Sequence, residues 1–217
     1  MKPHHHIDET TLVSYAAGAL SEAFAVVVAA HLALCDECRK TLAQAENIGG
    51  HLMRLQAGVP LDDTAVARML ARLPEAGRET AQAGTPARHD PDVLPPALWP
   101  HFGPSYRALR WRWLGPGVHY IRGAAIDEDH LMLLRVAPGR CLPMHTHGGS
   151  ELTMILRGAY DDSLGHFAPG DVADLDSDVE HQPVTAPGVP CVCVAATDAP
   201  LRFSGWIART LQPLFRL

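Results

Sequence analysis

The 217-residue chain is 47% hydrophobic and 19% charged, which excludes disorder over its whole length and leaves room for one large or two smaller domains. Eighteen Lys and Arg face 24 Asp and Glu, a net charge of -6 that argues against broad electrostatic binding of nucleic acid or anionic lipid. Thirteen histidines point toward metal chemistry, and five cysteines, an odd number, fit poorly with a secreted disulfide scaffold. In chain order, the segment from Asp8 to about Ala83 is rich in good helix formers. It predicts four short helices. The first runs from Glu9 to Ala17, capped by Asp8 and stopped by Gly18. The second runs from Glu22 to about Cys35, and the third from Asp36 to about Ile48, where Gly49-Gly50 should weaken or break it. Asp62 or Asp63 caps the fourth, in which Val66, Met69, Leu70 and Leu73 recur at helical spacing until Pro74. The apolar run Ala23 to Leu34 includes Ala25 to Ala30, which read as bundle core with part of the apolar face left for a partner. It is too short to span a bilayer, and Lys2 followed by three histidines is no signal peptide. The expectation is a soluble cytoplasmic protein.

Between Gly84 and Pro100 stand Pro86, Pro91, Pro95, Pro96 and Pro100, a pattern that predicts a stiff linker. Beyond it the hydrophobic period changes to two. Leu109, Trp111 and Trp113 alternate with Arg110 and Arg112, so both tryptophans should pack. The Pro-Gly turns at 116–117, 138–139, 169–170 and 187–188 separate short runs at 118–122, 131–136, 152–156 and 190–195. Many short strands at close spacing predict a β-sandwich or barrel. The organisation expected is α+β in two domains: a small all-α bundle over 1–84, a Pro-rich linker over 85–100, and an all-β domain over 101–217.

His31, Cys35 and Cys38 form His-x3-Cys-x2-Cys. His31 and Cys35 lie four apart on a predicted helix and project from one face, while Cys38 sits one turn further on. A structural zinc takes four nitrogen or sulfur ligands, of which three are local here. His6, just ahead of the first helix, is the choice for the fourth, with His4 and His5 as chemical competitors. A redox Cys-x-x-Cys pair and unliganded core residues are the alternatives. With His6 before a helix and His31-x3-Cys35-x2-Cys38 after it, the segment resembles the zinc-binding domain of bacterial anti-sigma factors. Tyr15 to Ser21 and Leu34 to Arg39 are similar to the ChrR family, whose members join this domain to a C-terminal cupin. The resemblance implies a helical domain that holds zinc and clamps an extracytoplasmic-function sigma factor away from core RNA polymerase.

In the second half, Gly139-x5-His145-x-His147-x3-Glu151-x6-Gly158 fits the first cupin motif. His145 and His147 point to one face of a strand, and Gly148-Gly149 permit the turn that returns Glu151 to the same ion. Gly170-Asp171 followed by His181 resembles the second cupin motif, with Asp176, Asp178 and Thr185 where the family carries Pro, Gly and Asn. Three imidazoles and a carboxylate suit zinc, the first choice, and also iron, manganese or nickel. Cys191 and Cys193 face one way on a predicted strand, as oxidant-sensitive thiols near the metal or as small hydrophobes in a barrel wall. The family resemblance implies a non-enzymatic transcriptional regulator that binds its sigma factor one to one, contacts neither nucleic acid nor membrane, and releases its partner under oxidative stress, singlet oxygen included. The rival reading is a metal-dependent cupin oxygenase or isomerase with a zinc docking module.

Overall fold

The first helix starts at Glu9 as predicted, but Asp8 stands at its cap through the backbone alone, its carbonyl accepting the Leu12 N–H at 3.0 Å with no side-chain cap bond. The computed structural model describes residues 2–79, 92–123, 129–199 and 201–203. Helix α1 (Glu9–Ala16) closes in a Schellman motif: Gly18 N–H bonds the Tyr15 carbonyl, Ala19 N–H bonds that of Ser14, and Gly18 adopts φ 66°. Helix α2 (Glu22–Leu32) is apolar nearly all round, and α3 (Asp36–Arg54) starts at Cys35, whose Sγ caps the Cys38 N–H at 3.4 Å. Three predicted ends are corrected, the first being that of α2, which stops at Leu32 and not near Cys35. Helix α3 runs straight through Gly49-Gly50, since glycine weakens a helix by about 1 kcal/mol per residue without breaking its hydrogen bonds. Helix α4 (Ala65–Glu79) passes Pro74, because proline forfeits one amide donor while its φ remains helical.

The second half is antiparallel throughout. Strands β1 (Arg112–Gly115), β2 (Val118–Arg122), β3 (His130–Val136), β5 (Glu151–Arg157), β8 (Val172–Leu175) and β10 (Cys191–Thr197) form one sheet in the order β1-β2-β3-β10-β5-β8. A smaller sheet joins β7 (Gly165–Phe167), β6 (Tyr160–Asp162) and β9 (Val184–Thr185), and β4 (His145–His147) pairs with β11 (Leu201–Phe203). The Pro-Gly turns fall between strands as the sequence predicts.

Strand β10 explains how the two halves meet. All seven of its residues are buried. Cys191 and Cys193 face Ile155, Tyr160 and Phe167 inside the β domain, while Val194 and Ala196 join Leu131, Leu133, Leu152 and Met154 on the opposite face. That second face is covered by α2, whose Ala23, Val27 and Val28 are fully buried in the same cluster. A strand covered on both sides needs apolar residues at every position, which is why no alternation marks β10. The apolar surround of α2 has the same cause: the helix has the sheet as its partner.

The end of the expected linker also enters this core. Leu94 and Leu98 are buried in the shared cluster, and Trp99 Nε1 donates to the Leu94 carbonyl at 2.7 Å. Residues 96–98 form a 3-10 turn followed by the short helix α5 (Trp99–Phe102). Pro86 and Pro91 lie outside the described residues, as does the 84/85 boundary. Trp111 packs at the cluster edge beneath Arg135, but Trp113 is 67% exposed. The pairing of β1 with β2 shifts register between Trp113 and Gly115, on an outer strand, and this frees Trp113 from the expected alternation.

Candidate metal centres

In the helical layer the side chains of His6, His31, Cys35 and Cys38 converge, with one ligand atom from each within 4.8 Å of all the others. His31 Nε2 lies 3.2 Å from Cys38 Sγ, and His6 Nδ1 lies 3.2 Å from Cys35 Sγ and 3.7 Å from Cys38 Sγ. Although α2 is spent at Leu32, the Cys35 N–H still bonds the His31 carbonyl at 3.0 Å, so the four-residue spacing keeps the two side chains together. The other two amino-terminal histidines are turned elsewhere. His5 stacks on Phe167 with centroids 4.0 Å apart, and the backbone amides of His4 and His5 serve a carboxylate.

That carboxylate belongs to Asp171, far along the chain. Its Oδ1 accepts the His4 N–H at 2.6 Å and the His5 N–H at 3.0 Å, and its Oδ2 accepts the Ala168 N–H at 2.8 Å. Burial disfavours the charge on Asp171, but these amides outweigh it and hold the carboxyl below its usual range. The neighbouring Gly170 carbonyl accepts from His31 Nδ1 at 2.9 Å. A carbonyl can only accept, so Nδ1 carries the proton and Nε2 turns its lone pair toward the thiols. His6 is oriented the same way: its Nε2 lies 3.6 Å from the Glu37 carboxylate while Nδ1 faces the sulfurs. Burial lowers the His31 pKa, which keeps the imidazole neutral and ready to ligate, and raises that of Cys38 to about 11, so a bound cation is what would make that thiol a thiolate.

The second cluster is built by strand geometry. His145 and His147 are two apart on β4, and His181 stands opposite His145, each N–H bonding the other's carbonyl at 3.1 Å. Hydrogen-bonded antiparallel partners project to the same side. His181 Nε2 therefore sits 3.1 Å from His145 Nε2 and 3.3 Å from His147 Nε2. The Nδ1 atoms of His145 and His181 donate outward, to the Pro143 carbonyl at 2.8 Å and to Asp162 Oδ2 at 2.9 Å. With their Nδ1 protons spent outward, His145 and His181 turn Nε2 lone pairs toward each other in a buried place, a contact that a metal ion would relieve. Burial lowers the pKa values of His145 and His147, the latter to about 4 with help from His181, so both remain neutral.

Glu151 lines this cluster from the side. Its Oε2 lies 3.2 Å from His147 Nδ1, without a hydrogen bond to that nitrogen, and the carboxylate stands outside the triad of converging imidazoles. Thr153 donates to its other oxygen at 3.0 Å, and burial pushes its pKa up. Thr185, where a cupin carries Asn, is structural: its hydroxyl donates to the Ala137 carbonyl and accepts the Arg140 N–H. Cys191 and Cys193 are buried, and burial raises their thiols, Cys191 to about 12, which favours the packing reading over the reactive one. The sequence predicts no orienting role for Asp162, Asp171 or Glu37. Gly170-Asp171 marks a turn there, but no local signal announces that the turn reaches the amino terminus.

Residues 104–199 match the ChrR cupin-like domain family. The anti-sigma-E factor ChrR of Cereibacter sphaeroides is 40% identical over 213 residues, covering 98% of this chain and 98% of that protein. The crystal structure of Rhodobacter sphaeroides SigE in complex with the anti-sigma ChrR matches with a TM-score of 0.77 at 37% identity, over 91% of this chain and 100% of that one. Likeness of this extent covers the helical layer and the β domain together, and the chain belongs to the ChrR family of anti-sigma factors.

Proposed function

We propose that this protein binds an extracytoplasmic-function sigma factor one to one, covers the surfaces that the factor needs for core polymerase, and releases it under oxidative stress. The observation that carries the reading is full-length likeness to an anti-sigma factor whose relative was solved in complex with a sigma factor. Unpartnered apolar side chains on α3, α4 and the segment between them support it. Leu52, Met53, Leu55, Val66, Met69 and Leu70 are all more than half exposed, as an embracing helical arm requires. No helix among the described residues is long and apolar enough to cross a membrane. The cytoplasm, where sigma factors meet polymerase, is the compartment this reading requires.

His6, His31, Cys35 and Cys38 hold zinc in the helical layer. Ligand distances of about 2.0–2.1 Å for nitrogen and 2.3 Å for sulfur place N and S donors about 3.6 Å apart around a tetrahedron. The separations here, 3.2 and 3.7 Å, bracket that value. Two imidazole donors of one zinc stand about 3.3 Å apart by the same geometry. His145, His147 and His181 fit this, with Glu151 as the adjoining carboxylate, and the ion assigned is zinc. The cupin cluster serves the response to singlet oxygen or a related oxidant. The enzymatic alternative is not favoured, because it leaves the thiolate cluster and the apolar arm without a role.

The test is transcription from a sigma-dependent promoter with purified full-length protein. Stoichiometric inhibition, lost on Cys35→Ser, is the expected result. A folded, metal-loaded chain that neither binds nor inhibits its cognate sigma factor overturns the reading.

A further inference from the structure

The two metal clusters share one structural element. Asp162, which fixes His181, ends β6, and Gly170-Asp171, which fix His31 and the arm leading to His6, follow β7. Strands β6 and β7 are a single hairpin, pairing Tyr160 with Phe167, Asp161 with His166 and Asp162 with Gly165. The amino-terminal arm lies along that hairpin. His5 stacks on Phe167, its Nε2 donates to the His166 carbonyl at 3.1 Å, and Val172 N–H donates to the His5 carbonyl at 3.3 Å. Gly165 and Gly170, both at positive φ, mark the closest passage: a Cβ at Gly165 would stand 3.2 Å from His5 Cε1, and one at Gly170 3.3 Å from Pro3 Cγ. The arm leads directly into His6.

We propose that the β6–β7 hairpin couples the two metal centres, with Asp162 and Asp171 as positioning residues, so that metal in the cupin cluster slows metal loss from the thiolate cluster. The coupling rests on the metal assignments above and supplies the step that regulation requires, a route from the cupin to the sigma-binding layer. Partners that hold a ligating histidine in place commonly change metal affinity by about 10 to 100-fold. Here the outer partner of His181 ends one strand of a short hairpin, and the groups that hold His31 and the arm leading to His6 stand three and four residues beyond its other strand, so movement of one is carried to the other. Coupling of binding equilibria is reciprocal, so metal in the thiolate cluster must tighten the cupin cluster by the same factor.

The experiment uses the full chain with cobalt(II) in the thiolate cluster. Thiolate-to-cobalt charge transfer gives an absorption band that imidazoles and a carboxylate cannot produce, so the band reports this cluster alone. Cobalt loss to a chelator is timed with the cupin cluster empty and with it filled by zinc. Wild type should lose cobalt several-fold more slowly when the cupin cluster is filled. Asp171→Ala should lose it about tenfold faster and show no dependence on cupin filling. Asp161→Asn, on the same hairpin but beside the exposed His166, should behave as wild type. Equal rates in wild type with and without cupin zinc overturn the proposal, as does a dependence that survives Asp171→Ala in a folded protein. If Asp171→Ala does not fold, the wild-type comparison decides alone. Sigma inhibition, assayed on the same preparations, separates the two failures: inhibition without coupling leaves the anti-sigma reading standing, and a missing thiolate band removes the metal assignment beneath both.

Discussion

Leu133→Ala tests whether the helical layer and the β sheet unfold as one body. Leu133 is fully buried on β3, opposite Val194 of β10 and Ile121 of β2, in the cluster that contains Val27 and Val28 of α2. The substitution removes three carbons from the shared core. At about 0.8 kcal/mol for each, transfer alone costs about 2.4 kcal/mol, and the cavity brings the total to about 3–4 kcal/mol. For a chain of this size each kcal/mol shifts the thermal midpoint by about 2–4 °C, so a fall of about 6–16 °C is expected. Two probes watch different halves. Far-ultraviolet circular dichroism is dominated by α1–α4, while all four tryptophans lie at or beyond Trp99. Melting in a zinc-buffered solution should lower both midpoints together. A drop in the fluorescence midpoint with an unmoved helical signal would refute the shared core.

Three further outcomes are expected. Cys38→Ser should reduce metal content by one equivalent per chain and abolish sigma inhibition, read by elemental analysis and transcription assay, because the helical layer loses its staple. His147→Ala should leave sigma binding intact and blunt release by oxidant; loss of binding would contradict the division of labour between the clusters. Burial raises the Tyr106 pKa to about 12, against an opposing pull from Arg157. The unfolded chain ionises this group near pH 10, so the native state holds more protons between pH 10 and 12 and stability declines across that window. Tyr106→Phe should flatten that part of the alkaline limb in denaturant titrations.

The parts that were legible in the sequence are those whose chemistry is local. His31, Cys35 and Cys38 fall within two helical turns, and His145 and His147 within three residues of one strand, so spacing alone brings their donors together. His6 is chosen by its place ahead of the first helix, over His4 and His5, and His181 by the second cupin motif, and the structure brings each to its cluster. What escaped is long-range. Asp171 reaches His4 across 167 positions, Gly170 reaches His31 across 139, and no periodicity encodes such a contact. The apolar surround of α2 was visible, but its partner was not, since an all-apolar helix fits a sheet, a bundle or another protein equally well. Gly49-Gly50 and Pro74 misled for a simpler reason: a local penalty of one or a few kcal/mol yields to a helix whose remaining turns are satisfied.

The clasp between Asp171 and the amino-terminal arm also has a consequence for the newly made chain. A bond spanning 167 positions cannot close until nearly the whole protein has left the ribosome. At about 5–20 residues per second, the 133 positions from Cys38 to Asp171 take an interval of roughly 7 to 27 s. During it Cys35 and Cys38 have emerged, but the carbonyl that orients His31 and the carboxylate that seats the His6 arm have not. Nascent molecules therefore pass through a stage with open thiols and a half-built metal site. Zinc supply and oxidant level at the moment of synthesis help decide how many regulators ever become competent, a control exerted before any partner is met.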